Sequence, residues 1–121
     1  MMVMLSTIRI YTQSGTRLKV SGFMRKITAP LLTHYLLREA KANGIYHAII
    51  HNVNAGFFIG GKIMYSHYEI KTFTHPECLE LIEEIDNLNK FINANLDQLR
   101  KSNAIISTAH EINYQSLNNT E

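Results

Sequence analysis

Two segments with the two-residue rhythm of a strand enclose one with the rhythm of a helix. That succession limits the fold more than any other feature of the chain. Leu5 to Thr12 places Ile8 and Ile10 on one side and Thr7, Arg9 and Tyr11 on the other. Leu32, Leu36, Leu37 and Ala40 then recur at helical spacing. Thr28-Ala29-Pro30 suits a helix start, because Thr caps free N–H groups and Pro in the first turn forfeits no needed bond. Lys41 and Asn43-Gly44 suit its end, so a helix is expected over Ala29–Asn43. Ile45 to Val53 alternates again, with Ile45, His47, Ile49, His51 and Val53 on one side and Tyr46, Ala48 and Ile50 on the other. Apolar groups on both sides predict a strand covered on both, by helices on one and by partner subunits on the other.

The rest of the chain extends this pattern. Gln13 to Lys26 reads as a loop, with a short hairpin through Leu18 and Val20. Asn54 to Met64 carries Gly56, Gly60 and Gly61 around Phe57, Phe58 and Ile59, a flexible loop with an apolar tip. Tyr65 to Phe73 alternates and is expected as a third strand. Thr74-His75-Pro76-Glu77 has the form of a capping box. Cys78, Leu81, Ile82, Ile85, Leu88, Ile92, Leu96 and Leu99 follow in steps of three and four, which predicts one long helix with a weak spot at Asn93-Ala94-Asn95. Asn103 to Tyr114 is the expected fourth strand, and 115–121 a polar tail. The expected fold class is therefore α+β: a ferredoxin-like βαββαβ sandwich, a four-stranded antiparallel sheet with two helices on one face. Its other face holds apolar residues drawn from positions such as Ile49 or Ile50, which favours self-association.

With 121 residues, 45% hydrophobic and 18% charged, the chain is expected to form a single domain over 1–121. Cys78 is the only cysteine, so no intrachain disulfide framework exists; that and the absence of a signal-like start point to the cytoplasm. No apolar run approaches the ~18 residues of a membrane helix, so no membrane insertion is expected. The net charge of +2 hides an asymmetry, with basic residues before Glu39 and acidic ones from Glu77 to Asp97. The N-terminal excess suits an anion; the plainer reading is two complementary faces that meet in an oligomer, or simply solvated surface.

Enzyme motifs are absent, and Cys78, at a position of core spacing, reads as a buried structural thiol rather than a nucleophile. No catalytic residue is expected. His47 and His51 share a strand face but stand about 13 Å apart at ~3.3 Å per residue. The metal alternative is instead His51 with His67 across two strands, which lacks an obvious third ligand. The expected third strand lacks the Gly-Phe core of an RNA-binding motif, so no nucleic acid is expected. The Gly-rich loop offers backbone N–H groups to a phosphate, with Lys62 as counter-charge.

Pro30-Leu31-Leu32-Thr33-His34-Tyr35-Leu36-Leu37-Arg38-Glu39-Ala40-Lys41-Ala42-Asn43-Gly44-Ile45 resembles the first helix of the PII-like proteins called domain of unknown function 190. Ile8-Arg9-Ile10-Tyr11 is similar to their first strand, and Leu81-Ile82-Glu83-Glu84-Ile85-Asp86 to their second helix. Ala55-Gly56-Phe57 matches part of their Gly-Phe-Gly turn; Asn52-Val53 stands where they tend to have Arg-Gly, and Phe58 replaces the last Gly. The 13–26 segment and the long second helix are extra. The resemblance implies a non-enzymatic signalling protein, a homotrimer that binds an adenine nucleotide as effector between subunits and acts on a membrane transporter or enzyme partner through the 54–66 loop. No cofactor is implied. The loop and the resemblance together nominate Arg9, Asn52, Gly56, Phe57, Gly60, Gly61 and Lys62 for ligand binding, with Arg9 and Lys62 as its cations. A metal-binding module and a purely protein-interacting module of the same fold stand as alternatives.

Overall fold

The computed structural model describes residues 4–22, 28–65 and 75–112, backbone only at 111 and 112. Among these residues nine elements follow one another: β1 (Leu5–Gln13), α1 (Leu32–Ala42), β2 (His47–Asn52), β3 (Ala55–Gly56), β4 (Met64–Tyr65), β5 (Pro76–Glu83), α2 (Ile85–Ala94), α3 (Leu96–Lys101) and β6 (Ile105–Ile112). Four strands form one antiparallel sheet in the order β2-β5-β1-β6, while β3 and β4 form a separate two-stranded hairpin. The fold is thus α+β with a four-stranded antiparallel sheet. The hairpin and the divided last helix add to a plain alternation of strands and helices.

Period two sorts the sheet residues. Ile8 and Ile10 of β1 face Leu81 and Leu79 of β5 across the ladder. These four join Leu32, Leu36 and Ala40 of α1, Leu88 and Phe91 of α2, and Leu99 of α3 in one buried cluster. Helices α1, α2 and α3 therefore pack on this face of the sheet, the helix face. Each fully buried Leu or Ile contributes about 1.5–3 kcal/mol of transfer free energy. No helix among the described residues is long and apolar enough to cross a membrane.

The α1 helix starts at Leu32, three residues later than expected, because its lead-in is used otherwise. Leu31 is extended and bridges Arg17, while the Leu18 amide donates to the Pro30 carbonyl at 2.9 Å and the Leu32 amide to the Thr16 carbonyl at 2.8 Å. The 16–18 segment thus pairs with the lead-in to α1 rather than folding on itself through Leu18 and Val20. At the other end Gly44, at φ 73°, closes a Schellman motif in which Ile45 N–H reaches the Ala40 carbonyl at 3.0 Å. Asn103, at φ 54°, closes α3 in the same way, with Ala104 N–H on the Leu99 carbonyl at 3.0 Å. The weak spot is a true break: the Asn95 amide side chain donates to the Phe91 carbonyl at 2.9 Å and separates α2 from α3.

The largest departure lies at 76–83. A helix was expected there; the chain instead forms β5, paired to β1 on one side and β2 on the other. Leu79 and Leu81 are wholly buried on the helix face, and Cys78 and Ile82 are buried on the opposite one. A strand apolar on both faces reads as an unbroken apolar run, which also satisfies helical spacing. Pro76, as first residue of the strand, removes no interior ladder bond. The expected third strand at 65–73 reaches the described residues only at Tyr65, in β4; its remainder, the 115–121 tail and His67 lie outside them. Strand β2 is an edge strand; Ala48 and Ile50 pack against the buried cluster on the helix face, and Ile49 on the other face is 43% exposed in the single chain.

Candidate ligand-binding site

The second sheet face reads as rows across four strands. His51, Cys78, Tyr11 and Ile105 form one row; Ile49, Glu80, Arg9 and Ser107 form the next; His47, Ile82, Thr7 and Ala109 form the third. The middle row holds the charges. Arg9 Nε donates to Glu80 Oε2 at 3.0 Å, which raises the guanidinium pKa further. Glu80 Oε1 faces His51 Nε2 at 3.7 Å and His47 Nε2 at 3.9 Å, so the rows above and below lean onto one carboxylate. The backbone spacing of His47 and His51 is large, but both rings turn toward Glu80. These distances exceed hydrogen-bond length. Among the described residues no group of three His, Cys, Asp or Glu side chains fits a metal ion.

Above the first row the hairpin roofs a cavity of about 300 Å³. Val53 N–H donates to the Pro76 carbonyl at 3.2 Å and roots the hairpin on the central strand. Tyr11 and Ile105 wall the cavity from the sheet, and Gly56, Phe57 and Phe58 from the hairpin. Gly56 is set close: a Cβ there would stand 3.3 Å from Pro76 Cγ. The lining of the cavity is aromatic and apolar. Beyond it the hairpin stands out, with Ile59 98% exposed and Phe57 67% exposed.

Of the nominated residues, Gly56 and Phe57 wall this cavity. Arg9 lies on the same face, two residues from Tyr11, about 7 Å along the strand, with its charge shared with Glu80. Asn52 ends β2 opposite Glu77, on the helix face of the ladder. Gly60 and Gly61 form the turn of the hairpin, where Gly61 N–H donates to the Phe58 carbonyl at 2.8 Å, and Lys62 is exposed beyond it; none of the three walls the cavity. Tyr11, Glu80 and Ile105 are the participants that sequence reasoning passed over. Glu80 was hidden by the helical reading of its segment, although Cys78, Glu80 and Ile82 alternate with Glu77, Leu79 and Leu81 as strand residues do.

Cys78 is buried, and burial pushes its thiol pKa up against the opposing pull of Arg9. It sits in β5 rather than in a helix. A buried thiol held protonated is a poor nucleophile. No family model and no curated protein matches the chain.

Proposed function

We propose that the chain is a non-enzymatic regulatory protein of PII-like, ferredoxin-like type. Three copies cover each other's second sheet face, an adenine nucleotide binds beside the hairpin at the seam, and the 54–66 segment passes the signal to a partner protein. The strand order β2-β5-β1-β6, with α1 joining β1 to β2 and α2–α3 joining β5 to β6, supports the fold type. Exposed Ile49 and Ile105 beside a charge pair support a face that meets another copy. The observation that carries the reading is the hairpin itself, which roofs an aromatic cavity with Phe57 and sends Ile59 into solvent. Stacking of a base on an aromatic side chain is worth about 1–3 kcal/mol. A ligand that orders the hairpin shifts its population only by the difference in affinity between its two states.

Calorimetric titration with ATP, ADP and AMP tests this reading. Binding heat is expected with at least one of them, and Gly56→Val, whose side chain enters the cavity wall, is expected to abolish it while the protein stays folded. No heat with any of the three overturns it. The exposed apolar tip alone favours the second reading, a protein-interaction module without a small ligand.

A further inference from the structure

Where β1 leaves the sheet there is a second cavity, of about 350 Å³. Phe58 and Ile105 stand between it and the hairpin cavity and line both. Its chemistry is different. Lys19 and Lys101 line it and no carboxylate does. Thr12 and Ser102 line it too, and their hydroxyl oxygens are the buried side-chain polar atoms without a hydrogen-bond partner among the described residues. Thr12 as a whole is 3% exposed. A buried hydroxyl left unpaired is costly, and such groups normally have a partner, protein or not.

The cations are brought there by construction. Gln98 of α3 clasps the backbone of Lys19, accepting from its N–H at 2.8 Å and donating to its carbonyl at 2.6 Å. This holds the 16–20 segment against the end of α3, where Lys101 and Ser102 lie. Lys19 has no ion-pair partner among the described residues, while Lys101 shares its charge with Asp97 at 3.0 Å in an exposed pair. The nearest buried carboxylate, Glu77, is opposite Thr12 in the ladder, but it is engaged by the Thr33 hydroxyl at 2.7 Å and does not line the cavity. The carbonyls at the end of α3 are likewise taken by Ser102, Asn103 and Ala104 amides. The cavity wall therefore holds one lysine with no ion pair among the described residues, a second shared with Asp97, and two buried residues whose hydroxyls lack a partner, with no carboxylate among its lining residues.

We propose that this cavity binds a tetrahedral oxyanion, a phosphate or phosphoryl group, held within one chain by Lys19, Lys101 and the hydroxyls of Thr12 and Ser102. Hydroxyl and ammonium donors to an ionised oxygen make the stronger class of hydrogen bond. Lys19 belongs to the 13–26 segment, which has no counterpart in the resemblance, so the site stands apart from it. It also needs neither a second copy nor the hairpin cavity.

The test titrates the full chain, at constant ionic strength against chloride, with inorganic phosphate, AMP and adenosine. Phosphate is expected to bind and to raise the melting midpoint by mass action. Lys19→Ala and Thr12→Val are each expected to weaken it about tenfold or more. Thr12→Val should leave the unliganded midpoint unchanged or raised, because it deletes a hydroxyl without a partner. Gly56→Val should leave phosphate affinity intact, which separates this site from the nucleotide reading. Binding of AMP but not of phosphate or adenosine, weakened by the same two substitutions, supports the site with a nucleotide phosphoryl group as its source. Absence of binding by both phosphate and AMP overturns the proposal, as does binding that Lys19→Ala and Thr12→Val leave unchanged. So does a lowered unliganded midpoint in Thr12→Val, which would mean that its hydroxyl already has a partner.

Discussion

Gln98 holds Lys19 by both its backbone N–H and its carbonyl, with hydrogen bonds of 2.8 Å and 2.6 Å spanning 79 positions of sequence. Among the described residues no other side chain ties the 14–20 segment to α3 in two places. The bonds are exposed, so water competes for them. Gln98→Ala is expected to cost about 1 kcal/mol in denaturant unfolding. Limited proteolysis between Ser14 and Val20 should quicken as well. Unchanged cleavage would mean that the Arg17–Leu31 bridge alone fixes the segment.

The strand at 76–83 makes its own prediction. Leu79 is fully buried between Ile10 and Ile50 in the ladder. Leu79→Ala should destabilise the protein by about 2–5 kcal/mol, since it leaves a cavity under all three helices. Ile59→Ser, at a side chain 98% exposed, should change stability by less than about 0.5 kcal/mol. Equal effects at the two sites would contradict the position of β5.

The alkaline limb of stability reports on Cys78. Its folded thiol pKa is raised, first by burial and further by Glu80. The folded chain then keeps its proton longer than the unfolded one. The contribution is complete below the unfolded thiol value of about 8.5 and is lost as pH rises above it. Melting midpoints should therefore fall as pH rises above about 8.5, and Cys78→Val should flatten that fall. Tyr35, raised by burial and by Glu39, keeps a residual slope near and above pH 10 in both proteins. Rapid labelling of the native thiol by a disulfide reagent at pH 7.5 would show that Cys78 is not shielded.

The parts of the fold that could be read in advance are those where one physical signal acts alone. In β1 the alternation of Ile8 and Ile10 with Arg9 and Tyr11 matches one covered face, and in α1 the Leu32, Leu36 and Ala40 stripe ends at a glycine that must be left-handed. Asn95 announced its break because an Asn side chain competes for a helix carbonyl. In Pro76–Glu83 two signals overlapped. Leu81, Ile82, Ile85 and Leu88 keep helical steps through a strand and into the helix after it, so the boundary at Glu84 left no trace in the spacing. Gly56 and Phe57 were legible as a loop with apolar character. Their partners Tyr11 and Ile105 were not, because only the β1–β6 register sets those two side by side. Thr12 and Ser102 are still less legible: a hydroxyl lacks a partner only by virtue of everything folded around it.

The account turns on what covers the second sheet face, where Ile49 and Ile105 remain exposed in the single chain. Sedimentation equilibrium at micromolar concentration measures this most directly. The account predicts a mass three times the 13.9 kDa of one chain. A mass of one chain, unchanged by added nucleotide, would contradict it.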